Sequence, residues 1–77
     1  MKQEIERRIM AKEEKIKLLN MELDETKKAL KSLTMDEHGI ESYLIRTASR
    51  RVAIRNEISD LQVEVYELMQ ILKAENN

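Results

Sequence analysis

Proline is absent from the 77 residues and glycine occurs once, so Gly39 is the one residue that invites a break in a helix. Cysteine is absent too, which excludes disulfides and thiolate metal sites. With no Phe, no Trp and two Tyr, the composition argues against a compact globule built on an aromatic core. Neither sign of charge dominates. The net charge of −1 supplies no global electrostatic pull toward nucleic acid or an acidic membrane. No apolar run approaches the roughly 20 residues of a membrane span, and the opening MKQEIERRIM lacks a signal-peptide core. The expectation is a soluble, cytoplasmic protein with no membrane partner.

What is present is charge and aliphatic periodicity. Charged residues make up 38% of the chain, a composition typical of long helices and coiled coils. Ile54, Ile58, Leu61, Val65, Leu68 and Leu72 follow one another at alternating spacings of four and three. That is the a/d seam of a coiled coil, which must be covered by a partner helix. The first half carries its own seam: Ile9, Ile16, Leu23 and Leu30 at position a, with Ile5, Lys12, Leu19, Thr26 and Leu33 at position d. In the second half position a falls on Leu44, Arg51, Ile58, Val65 and Leu72, and position d on Thr47, Ile54, Leu61 and Leu68.

The reading is all-α: one helical hairpin over 1–77, with helix one at about 3–36, a turn at about 37–40, helix two at about 41–74 and a frayed tail at 75–77. Gly39 suits the residue just past a helix C-terminus, where positive φ is needed and Ile40 folds back on Met35. Thr34 and Glu37 form a competing capping box that starts helix two earlier.

The two seams fit each other. An antiparallel pair joins residues whose numbers have a constant sum, and 77 joins Ile5 with Leu72, Ile9 with Leu68, Ile16 with Leu61, Leu19 with Ile58 and Leu23 with Ile54. It also joins Leu30 with Thr47 and Leu33 with Leu44. Thr26 and Arg51, two polar seam residues, fall in one layer, and Lys12 lies opposite Val65. Such a polar layer fixes register at some cost in stability. Charge agrees. Residues 1–19 carry +2 and 20–41 carry −3, whereas 42–56 carry +4 and 57–77 carry −4. Folding back lays opposite signs together, whereas a parallel dimer of extended chains would stack like on like.

Several apolar side chains stay outside this seam. Ile45, Ala48 and Val52 make a stripe that Tyr66 and Met69 resume, while Leu18 and Met21 lie together on helix one near Met10. Isolated surface hydrophobes are common, but a set of this kind suits a second interface. The seven residues are therefore candidate protein-interface positions, and the hairpin is expected to dimerise into a four-helix bundle.

Catalysis has no support. His38 is the lone histidine, no ExxH or HxxxH pair exists, and no glycine-rich loop is present. Nucleophile, base and orienter cannot be assembled, so no catalytic, cofactor or metal site and no small-molecule substrate are expected. Arg46, Arg50 and Arg55 are candidate phosphate contacts, since Arg46 and Arg50 lie on successive turns and Arg55 can reach the same side. Against that, Glu22, Asp24 and Glu25 lie alongside in the register, Arg51 packs its stem in the seam, and no aromatic is interleaved to stack bases.

Two long helices hinged near residue 38, with Ser49-Arg50-Arg51 followed by Ala53-Ile54, give the chain a resemblance to the N-terminal coiled-coil arm of hantavirus nucleocapsid proteins. The likeness covers most of the chain but rests on heptad positions, and the acidic, proline-bearing hinge of that family is replaced by Met35–Gly39. It implies the hairpin fold and carries no function. Phosphatase-type sporulation regulators are also small hairpins; of their Ser-x-Glu-Leu-Asp signature only Met21-Glu22-Leu23-Asp24 has a counterpart.

The functional expectation is a non-catalytic protein-interaction module, a small coiled-coil adaptor or regulator, such as an inhibitor, that self-associates and binds a protein target. The alternatives are an oligomerisation module of a cellular or viral assembly, and a nucleic-acid binder using the arginine group.

Overall fold

A computed structural model describes residues 1–32 and 37–76, without the side chains of 37, 38 and 76. Two helices make the structure: α1 (Lys2–Lys31) and α2 (Glu37–Asn76). They lie antiparallel against each other as a rod of 60 × 15 × 13 Å. At ~1.5 Å per residue, the forty residues of α2 alone account for that length.

The seam is the core. Leu19, Ile54, Ile58 and Leu61 pack together, with Ile16 and Leu23 against them. Ile9 and Val65 extend the buried line toward the termini. Among the described residues Ile54 is the one large side chain that is fully buried, at 0% exposure, and burial of such a side chain stabilises by about 1.5–3 kcal/mol. The antiparallel hairpin and its register are those expected from the periodicity.

The Thr26–Arg51 layer and Lys12, polar interruptions of the seam, find partners. Arg51 Nη1 donates to Thr26 Oγ1 at 2.7 Å and to the Leu23 carbonyl at 3.1 Å. The Thr26 hydroxyl donates in turn to that same carbonyl at 2.7 Å. Lys12 escapes the apolar layer by turning its ammonium to Glu64 Oε2, 2.8 Å away. Among the described residues no buried side-chain nitrogen or oxygen lacks a hydrogen-bond partner.

The turn differs from expectation. α1 stops at Lys31, where the Ser32 N–H is shared between the Lys28 and Ala29 carbonyls at 3.2 Å each and the Ser32 hydroxyl donates to Lys28 O at 3.0 Å. A serine hydroxyl bonded back to the preceding turn offers the backbone an alternative to continued helix, which a seam-based reading does not weigh. α2 already begins at Glu37, so Gly39 sits in its first turn and not at a positive-φ helix end. Glycine in a helix costs about 1 kcal/mol relative to alanine, too little to force a break. The packing of Ile40 on Met35, the capping box of Thr34 with Glu37 and the Leu33–Leu44 layer involve residues or side chains outside the described ones. At the other end α2 runs through Asn76, so Glu75 and Asn76 are helical and not tail; Asn77 lies outside the description.

These bounds leave the helices unequal, thirty residues against forty. In the seam register Lys31 is level with Arg46, so the first turns of α2 stand past the end of α1. Leu44, a seam position in this stretch, is 44% exposed.

Candidate protein-interaction surface

Two flanks run along the hairpin, one on each side of the seam, and they differ in chemistry. The first carries the cross-helix ion pairs. Lys15 Nζ lies 3.0 Å from Glu57 Oε1, and Glu22 Oε1 accepts from Arg50 Nε at 2.9 Å and from Arg50 Nη2. These pairs are one heptad apart on each helix, and the Lys12–Glu64 contact continues the row. All keep contact with solvent, so each contributes a few tenths of a kcal/mol and acts mainly on orientation.

Arg46 and Arg50 belong to this first flank, where they line a shallow groove with Thr26, Tyr43 and Thr47. Arg55 does not join them. It lines a groove on the opposite flank with Leu30, Leu44, Ala48, Arg51 and Val52. The expected three-arginine phosphate cluster is therefore divided, because five residues along a helix at ~100° each leave Arg55 about 140° away from Arg50. Arg50 is also tied to Glu22, whereas among the described residues neither Asp24 nor Glu25 comes within ion-pair distance of an arginine.

The second flank is the apolar one. Ile45, Ala48 and Val52 are exposed on α2, and about four to five turns further on Tyr66 and Met69 are exposed in the same stripe. Leu18 and Met21, also exposed, do not belong with them. Leu18 stands one turn from both Lys15 and Glu22, which puts it on the ion-pair flank, and Met21 points from the back of α1. The seven candidate positions thus divide between surfaces, and five of them share one.

Two residues of the apolar flank were missed in the sequence. Val63, 54% exposed, lies beside Tyr66, and Leu44, assigned to the seam, joins Ala48 and Val52 at the groove. Val63 was legible, since it occupies the heptad position between the stripe and the helix back.

Among the described residues no three His, Cys, Asp or Glu side chains gather where they could hold a metal ion, and no helix is long and apolar enough to cross a membrane. The His38 side chain lies outside the described residues. Comparison with protein-family models, curated proteins and solved structures gives no match.

Proposed function

We propose that this hairpin is a non-catalytic protein-interaction module, an adaptor or regulator that self-associates and binds protein through the apolar flank of α2. The observation that carries the reading is the contrast between the flanks. One is crossed by ion pairs between the helices, while the other has none among the described residues and leaves Ile45, Val52, Tyr66 and Met69 open to water. A stripe of large apolar side chains on one side of a thin rod loses free energy by staying wet, at roughly 25 cal/mol per Å². Four-helix assembly and helix-in-groove binding are the usual ways to cover it.

Sedimentation equilibrium tests this reading. A species heavier than the 9.1 kDa chain at micromolar concentration is the expected result. A monomer that stays monomeric throughout that range would overturn it. The reading as an oligomerisation module of a larger assembly uses the same flank. Nucleic-acid binding loses ground, because its three arginines occupy two flanks.

A further inference from the structure

The outer flank of α2 is nearly free of charge in a chain that is 38% charged. Between Ile45 and Gln70, the three heptad positions that make this flank are filled by twelve residues, all exposed. Six are apolar: Ile45, Ala48, Val52, Val63, Tyr66 and Met69. Five are neutral and polar: Ser49, Asn56, Ser59, Gln62 and Gln70. Arg55 is the single charge. The equivalent positions on α1, from Gln3 to Lys31, carry nine charged residues among thirteen. Two helices of one hairpin, equally exposed at these positions, thus differ in the property that separates a solvated face from an interface core, which is depletion of charge. α2 is built to be covered on both sides.

The order of residues along the flank says what covers it. Its apolar residues form two clusters, one near the hinge and one near the C-terminus, with Arg55, Ser59 and Gln62 between them. We infer that a second copy of this chain packs its α2 antiparallel on this flank, across a two-fold axis at the level of Glu57. This rests on the flank being the protein-binding surface. In that register Ile45 meets Met69 of the second copy, Ala48 meets Tyr66, Val52 meets Gln62 and Arg55 meets Ser59. Ile45 and Ala48 of each hinge-side cluster thus land on the C-terminal cluster of the other copy, twice over, as a self-complementary interface requires, and Val52 packs beside them on Gln62. Arg55 lies beside the axis, where its long stem lets the guanidinium reach the solvent edge.

Charge on the neighbouring row of α1 supports the antiparallel sense. Glu6, Glu13, Asn20 and Lys27 recur once per heptad along the edge of this flank, acidic at one end and basic at the other. Asn20 is level with Glu57 in the seam register, so the same axis passes the neutral residue. It brings the acidic end of one copy beside the basic end of the other. Packing with the helices in the same direction would lay Glu6 and Glu13 beside their own equivalents, which is repulsive.

The chain has no native cysteine, so single thiols report this geometry directly. Ala48→Cys and Tyr66→Cys chains, one carrying a mass tag, are mixed, re-equilibrated and treated with a short bismaleimide. Crosslinked product formed in the mixture and absent from either variant alone is the expected result. Leu18→Cys, on the opposite flank, yields none. Crosslinking of Ala48→Cys to itself, or a dimer by sedimentation that leaves the mixed pair uncrosslinked, would overturn the antiparallel register while leaving the protein-binding reading intact. A chain that sediments as a monomer would overturn both. Val52→Glu abolishes the dimer at micromolar concentration with helix content preserved; a Val52→Glu dimer as tight as the parent's would also refute the register.

Discussion

Arg51 and Thr26 meet across the seam, with Arg51 Nη1 donating to Thr26 Oγ1 at 2.7 Å, and the Leu23 carbonyl accepts from both side chains. Three polar groups thereby satisfy one another at a level where an apolar layer would pack more tightly. Thr26→Val removes the hydroxyl and leaves Arg51 with the carbonyl alone. Removing one partner of such a bond costs about 1–3 kcal/mol. The double change Thr26→Leu with Arg51→Leu restores an apolar layer and raises the melting temperature above that of the parent. Thermal melts followed by circular dichroism check both, and a double variant less stable than Thr26→Val would contradict the assignment.

Leu61 is buried at the centre of the seam. Leu61→Asp places an unpaired charge there, at a cost of several kcal/mol against a stability on the order of 5 kcal/mol for so small a domain. Loss of the cooperative melt is expected. A variant with the parent's helical signal and melting temperature would refute the seam.

Lys12 occupies a seam position yet is engaged with Glu64 at the edge, where both side chains keep solvent. Lys12→Leu gives up an exposed ion pair worth a few tenths of a kcal/mol and gains apolar burial opposite Val65 of about 1 kcal/mol or more. Urea denaturation should show a higher midpoint. A lower midpoint would mean that the ammonium contributes more than its exposure implies.

Phosphate binding by the arginines meets a direct check in gel retardation with random duplex and single strands at low salt. With Arg50 held by Glu22 and Arg55 on the other flank, no retardation is expected. A shift that disappears on Arg46→Ala and Arg50→Ala would show that the first flank suffices on its own.

The seam, its antiparallel sense and its polar layer were legible from periodicity, because a heptad pattern encodes which residues face a partner and a constant-sum register encodes which residues they face. The hinge was not. Gly39 looked like a stop because glycine tolerates positive φ, yet tolerance is not a requirement, and Ser32 ends α1 by local hydrogen bonds that no hydrophobic pattern records. Treating the arginines as one group failed for a simpler reason: closeness in sequence is not closeness around a helix, and Arg55 is a step of five from Arg50.

The unequal lengths of the helices divide the molecule thermodynamically. Along most of the rod each turn of α2 is held by a turn of α1, and folding there is a property of the single chain. Past the level of Lys31, Gly39, Ile40 and Tyr43 are half-buried, whereas Leu44 and Ile45 are exposed. The binding energy of anything that covered those two side chains would add to local stability by mass action. A second copy or a partner seated on Leu44 and Ile45 would therefore raise the stability of the hinge end first.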